Sequence, residues 1–302
     1  MDHQHMTRRQ LLALGAGGGL AALVALSPPA GAAPRVVGAA KAKGAMHIVA
    51  HPDDALLFLN PDQQRDIVSG RPVQIVYLTA GENTFDATYW QAREVGALAA
   101  AASLAGVANA WTPSIVPVNG FNLLVQQLTA KPTVTIVFMR LPDGNADGSG
   151  FPLSNNQSLQ SLWTGTIAAM DAVDGSASYD KSGLIATLVA LMAATRPLSI
   201  RTQDFINTFG GGDHSDHYAA GAFVQAANAA YVGSRRTLYA YMGYPASSQP
   251  VNVASRKYQA KTAAWLAYAP NDELVPQTIA DANQSVYGSW LARQYQSGHI
   301  VS

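Results

Sequence analysis

The sequence predicts an α/β protein: one doubly wound, Rossmann-like domain with a mostly parallel sheet and loop insertions. Three observations predict it. Continuous apolar runs with β-branched residues, Val73–Leu78 (VQIVYL) and Thr133–Met139 (TVTIVFM), read as strands buried on both faces. These runs alternate with helical segments, which implies parallel pairing through right-handed crossovers. Apolar residues make up 48% of the 302, enough for a sizeable core and incompatible with intrinsic disorder.

Taken in order, Ala45–Ala50 reads as a short strand that stops at His51-Pro52, and residues 61–69 have helical character. The strand 73–78 follows. Residues 87–105 are Ala-rich and unbroken except by Gly96, a helix. After the strand 133–139, residues 183–194 read as helix, 198–202 as strand, 214–231 as helix and 237–242 as strand. Helices near 257–268 and 285–295 finish the chain, and Phe121 and Trp163 are placed on helices. Residues 142–157, rich in Gly, Asn, Asp and Ser, and 204–212, ending in three glycines, read as surface loops of the kind that carry function.

Composition excludes several classes. Formal net charge is zero and charged residues are only 13%, so no basic field advertises nucleic acid or an anionic membrane. There is no cysteine, which removes disulfides, thiolate zinc sites, iron–sulfur clusters and cysteine nucleophiles. At the start, Thr7-Arg8-Arg9-Gln10-Leu11-Leu12 leads into a Gly-rich apolar run to Leu26, then Ser27-Pro28-Pro29 and Ala30-Gly31-Ala32. Residues 1–32 thus resemble a twin-arginine export signal, with the deduced domain at 45–302. The alternative is a membrane anchor, but about 16 glycine-diluted residues fall short of the roughly 20 that span a bilayer. The expectation is a secreted, extracytoplasmic protein with no stable membrane anchor.

The histidines are the most informative count. Of seven, His3 and His5 lie in the export segment and His299 in the tail. Three of the other four fall in two clusters, His51-Pro52-Asp53-Asp54 and His214-Ser215-Asp216-His217, each pairing imidazole with carboxylate. The first follows a strand, where ligand sites of open parallel sheets form. Its adjacent aspartates repel each other unless a cation, hydrogen bonds or solvent intervene; a solvated turn capping the next helix is the competing reading. The second opens a helix, with Asp213 as expected N-cap and His214 and His217 on one face. A helix N-terminus disfavours imidazolium and suits a neutral ligand; a capped helix start with exposed histidines is the alternative there. Together, one imidazole and one carboxylate from the first cluster and one imidazole from the second make a His2Asp set. Such a set suits zinc with an open position for water. Asp53 is left as a base and His214 as an electrophile or acid.

AHPDD (Ala50–Asp54) and HSDH (His214–His217), in this order on a strand end and a helix, resemble the motifs of the PIG-L/LmbE family of zinc-dependent de-N-acetylases. The similarity runs from about 45 to 244. Leu78–Glu82 and Arg93-Glu94 also match family positions. The resemblance implies Zn2+ held by His51, Asp54 and His217, with Asp53 as general base. It also implies that His214 stabilises or protonates the tetrahedral intermediate and that Asp216 tunes a motif histidine. Arg93 is similar to a substrate-binding arginine, although an exposed helix residue is the competing reading. Ala55 stands where glutamate frequently follows the two aspartates, and Ser215 where proline is common; neither is asked to bind metal.

AHPDDALLFLNPD (50–62), RLPDGN (140–145) and GDHSDHYAA (212–220), together with the export signal, resemble secreted actinomycete members of the teicoplanin-type glycopeptide deacetylases. The implied partner is a glycosylated small molecule bearing N-acetylglucosamine. Other cell-wall amino sugars, a noncatalytic glycan-binding role and zinc phosphoester hydrolysis are the other readings. Asp143–Gly148 fits the opening of a calcium loop, but position twelve would be Ser154 rather than a bidentate glutamate, and a strand precedes it. A loop over the sugar site, with Asp143 facing substrate, is the preferred reading. Phe85, Tyr89, Trp90 and Phe151 are expected to form a wide, partly apolar rim, with Trp90 and Phe151 touching substrate.

Overall fold

In the computed structural model, residues 44–84 and 86–302 are described. The export segment (1–32) and Phe85 therefore lie outside the described residues. The sheet has eight strands in the order β10-β9-β8-β1-β2-β5-β4-β3. These are β1 (Ala45–Val49), β2 (Val73–Thr79), β3 (Trp111–Val118), β4 (Phe121–Leu128), β5 (Val134–Leu141), β8 (Ser199–Gln203), β9 (Thr237–Tyr241) and β10 (Gln296–Val301). The five central strands pair in parallel, and β4, β3 and β10 are antiparallel at the two sides. The short β6 (Ala169–Asp171) and β7 (Ser178–Asp180) form a separate hairpin.

Helices cover both faces because the buried strands are apolar on both. Met46, Ile48, Val76 and Val137 point into a core with α4 (Leu159–Thr164), α5 (Lys181–Thr195) and α6 (Ser215–Ala230). Ala45, Val49, Val73, Ile75, Tyr77 and Ile136 point the other way. That second core is closed by α1 (Asp54–Phe58), α2 (Asp62–Val68), α3 (Ala87–Ala105), α7 (Ser255–Tyr268), α8 (Ile279–Asn283) and α9 (Val286–Leu291). Gly96 lets α3 and α7 touch: a Cβ there would overlap the Tyr268 ring.

The parallel core stands as read from sequence, and α3 spans the expected residues. Four differences have physical reasons. The hairpin β3–β4 is absent from the elements expected from sequence; β3 carries Pro113 and Pro117 and pairs on one side only, where proline is tolerated. Phe121 accordingly opens a strand, not a helix, whereas Trp163 does lie on α4. The last helix ends at Leu291, and the chain returns as β10 beside β9. Asp213 is not the N-cap of α6; His214 is, its side chain accepting from Asp216 N. Among the described residues no helix is long and apolar enough to cross a membrane.

β1 feeds β2, β5 and their neighbours on one side, while β8 and β9 lie on the other. The carboxyl ends of β1 and β8 thus flank the point where strand order reverses, the place where open α/β sheets leave a crevice. Both histidine clusters emerge there. Ala50 N donates to the Gln203 side chain at 2.8 Å, fastening the two strand ends together.

Candidate active site

The first cluster turns tightly out of β1. His51 N donates to Asp54 Oδ2 at 2.5 Å, and Asp54 N to His51 O at 3.1 Å, before α1 begins at Asp54. The second cluster sits at the N-terminus of α6. The two meet: Asp54 Oδ2 is 3.1 Å from His51 Nδ1, and Asp54 Oδ1 is 3.1 Å from His217 Nε2. All three side chains are buried.

His217 is held from behind by a carboxylate that sequence reasoning had assigned elsewhere. Its Nδ1 lies 2.7 Å from Asp213 Oδ1. Asp213 also accepts from His214 N, Gly243 N and Tyr244 N, at 2.9, 3.1 and 2.9 Å. The loop after β9 can come this close only as glycine, since a Cβ on Gly243 would overlap both Asp213 and the His217 ring. Spacing carried the signal, because Asp213 precedes His217 by four residues.

Asp216 has no solvent exposure. Its Oδ2 accepts from Gly144 N at 2.7 Å and lies 3.3 Å from His51 Nε2, so the histidine it supports is His51 rather than His214. His214 Nδ1 accepts from Asp216 N at 3.2 Å, which leaves its proton on Nε2. That Nε2 is 3.8 Å from Asp143 Oδ1, and His51 Nε2 is 3.9 Å from Asp143 Oδ2. The 142–157 loop therefore reaches over the site as expected, with Asp143 and Phe151 lining the pocket. Glu82 props it up, accepting from Asp143 N and from Ser154 Oγ at 2.6 Å; burial pushes its carboxyl up to about 7.

Asp53 faces the same pocket and accepts from Arg93 Nη2 at 2.8 Å. Arg93, read from sequence as a substrate contact, lines the pocket and also braces its neighbours. Its Nη1 donates to Gly81 O at 2.6 Å, and its Nε lies 2.9 Å from both Tyr268 Oη and Asp272 Oδ2. Asp272 in turn accepts from the hydroxyls of Tyr89 and Tyr268, at 2.9 and 2.8 Å. Through these contacts Arg93 clamps Asp53 in place while it lines the same pocket. Trp90 is buried, carries Arg140 on its ring at 4.9 Å, and lines a neighbouring cavity rather than the metal pocket. Tyr244, Asp272, Tyr287 and Trp290, which sequence reasoning missed, complete the pocket of about 260 Å3.

Charges explain what the cluster asks for. Burial pushes the His217 imidazole down, but Asp213 and Asp54 outweigh it and hold it up at about 10. Burial, then His51, pushes His214 down to about 3, so His214 is neutral. Burial also raises Asp53, against the pull of Arg93. Two sets of side chains bring ligand atoms within 4.8 Å of one another: His51, Asp54, His217; and His51, Asp143, His214, Asp216. The first fits a divalent cation better. Asp213 holds the Nδ1 side of the His217 ring and turns Nε2 toward Asp54, whereas His214 Nδ1 of the second set accepts from a backbone N–H.

The sequence profile of the GlcNAc-PI de-N-acetylase family (PIG-L) matches residues 46–228, more than half of the chain and both clusters. The chain belongs to the PIG-L family. PIG-L membership makes it a deacetylase-type hydrolase, and the buried His/Asp group is compatible with metal dependence. Tyr244, Asp272, Tyr287 and Trp290 lie beyond the PIG-L match. No curated protein matches the chain. Among solved structures it is similar to teicoplanin deacetylase Orf2, with 14% identity, covering 82% of this chain and 89% of that one, TM-score 0.45. It is also similar to the N,N'-diacetylchitobiose deacetylase of Pyrococcus horikoshii, with 14% identity, 87% and 84% coverage, TM-score 0.44. A third is GalB, the 4-carboxy-2-hydroxymuconate hydratase of Pseudomonas putida KT2440, with 17% identity, 86% and 95% coverage, TM-score 0.43.

Proposed function

We propose that this protein is a zinc-dependent deacetylase that hydrolyses the N-acetyl group of an N-acetylglucosaminyl glycoside, giving acetate and a free amino sugar. The observation that carries this reading is the convergence of buried His51, Asp54 and His217, with His51, Asp54 and Asp53 facing one pocket. His51, Asp54 and His217 would hold the zinc, which supplies Lewis acidity toward the acetamide carbonyl and a more acidic water. Asp53, held by Arg93, takes the proton from water as its oxygen attacks the carbonyl carbon. His214 acts as a neutral donor, its Nε2–H directed at the developing oxyanion. The C–N bond then breaks, and Asp53 returns its proton to the leaving amine.

The glycoside we favour is a glycopeptide-antibiotic pseudoaglycone of the teicoplanin type, met outside the cell after twin-arginine export of the chain. The motif resemblance over 50–62, 140–145 and 212–220 supports it. So does the open pocket mouth, where Phe151 offers an apolar face. Free N-acetylglucosamine is then a poor substrate, because it lacks the remote contacts that position the acetamide. The test is metal analysis of the purified protein with acetate release from free N-acetylglucosamine and from an N-acetylglucosaminyl peptide aglycone. Zinc with faster release from the aglycone is expected. Zinc without release from any amino sugar would point to glycan binding, and equal kcat/KM for the two would point to a small-sugar deacetylase.

A further inference from the structure

A second cavity, of about 430 Å3, lies behind one wall of the metal pocket. The wall is a single layer of chain. Asn83, Tyr89 and Asp143 face the metal pocket, while their sequence neighbours Glu82, Trp90 and Pro142 face the second cavity; Phe151 and Leu153, two residues on, divide the same way. Asp143 bridges the two: its N–H donates to Glu82, and its carboxylate sits within 3.9 Å of His51 and His214. One residue therefore separates this cavity from the histidines.

Its chemistry differs from that of the metal pocket. Much of the lining is apolar, from Trp90, Pro142, Leu153, Ala172 and Val173. Leu153 is 62% exposed at the cavity's edge, on the one-turn helix Pro152–Ser154. The charged residues that line it are Glu82, Asp86 and Asp171, with no lysine, arginine or histidine among the lining residues. The nearby Arg140 is neutralised by Glu94 and Asp174. An apolar slot edged by carboxylates complements a flat apolar group that carries a cation.

We propose that this cavity binds the remote, non-reacting part of the glycoside, a flat apolar group bearing a protonated amine, while the acetamide occupies the metal pocket. The link to the acetamide rests on the deacetylase reading; the ligand chemistry of the cavity does not. Binding energy gained there positions the reacting carbonyl without touching the chemistry. The probe is tyramine, titrated by calorimetry into the metal-loaded full chain, its Leu153→Arg variant and its Asp171→Asn variant. Both substitutions are at exposed positions and spare the core. Tyramine should bind the parent, at least tenfold more weakly to Leu153→Arg and several-fold more weakly to Asp171→Asn. No binding, or equal binding to all three, overturns the proposal. In parallel, the kcat/KM ratio of 4-(2-aminoethyl)phenyl N-acetylglucosaminide over free N-acetylglucosamine should exceed ten in the parent and fall at least fivefold in Leu153→Arg. An unchanged ratio overturns the link between the two pockets. Variant-sensitive tyramine binding with no acetate release from either sugar would overturn the deacetylase reading and leave the cavity's ligand class supported.

Discussion

Asp53 and Asp54 are neighbours in sequence with opposite surroundings, and that difference assigns their work. Asp54 is enclosed by His51 and His217, which hold its carboxyl well down once burial is overcome. Asp53 meets only Arg93 and the open pocket. Asp53→Asn should therefore keep its metal and lose about 10²–10⁴-fold in turnover, the usual worth of a general base. Near-parent acetate release with intact metal would remove Asp53 from that role. Asp213 predicts the converse. It touches no substrate position but fixes the His217 ring, so Asp213→Ala should weaken metal binding by about 10–100-fold. Competition against a chromogenic chelator measures this, and unchanged affinity would mean that the ring is held by packing alone.

At the scale of elements, the C-terminal helices are tied to the catalytic turn by a buried lysine. Lys261 on α7 donates to Leu57 O at 2.6 Å and to Trp290 O and Arg293 O at 2.9 Å each. Burial pushes its pKa well down, yet three acceptors match the three N–H bonds of the ammonium form. Leu57 lies in the last turn of α1, the helix that begins at Asp54. Lys261→Met keeps the apolar stem but leaves three carbonyls unpaired. It should cost about 3 kcal/mol or more, roughly 6–12 °C in Tm by scanning calorimetry. A Tm within about 2 °C of the parent would show that water replaces the ammonium. This tie also marks where sequence reasoning stopped. Asp86 before α3 and Gly106 after it are local signals, and that helix was legible to the residue. Both histidine–aspartate clusters were legible because each is contiguous. Asp272 and Tyr268 were not, since they meet Arg93 from 179 and 175 positions away, and no local pattern encodes such a contact. The edge strand β3 was not among the expected elements: Pro113 and Pro117 weaken its strand pattern, and they are tolerated because β3 pairs on one side only.

At the scale of the whole molecule, the parallel strands on one side of the switch point share a polar anchor that makes stability depend on pH. Asp66 on α2 lies 3.0 Å from His47 Nε2 on β1 and accepts from Arg201 Nε on β8 at 2.7 Å. Arg201 Nη1 also donates at 2.7 Å to Tyr241 Oη on β9, whose hydroxyl donates to Asp62 at 2.5 Å. Burial works against the Asp66 carboxylate, but His47 and Arg201 outweigh it and hold its pKa well below the carboxylate range. The unfolded chain, with an ordinary aspartate near pH 4, therefore takes up this proton first as pH falls. The contribution of Asp66 is fully present above about pH 5 and is lost progressively below about pH 4. Asp66→Asn should lower the urea midpoint at pH 7, where the Arg201 guanidinium loses its carboxylate, and should flatten the decline between pH 5 and pH 3. Any bound metal would shift both proteins alike, so the two are compared in the same metal-buffered solution. Parallel declines in parent and variant would place the acid sensitivity elsewhere, in the Asp213–His217–Asp54 chain at the opposite ends of the same strands.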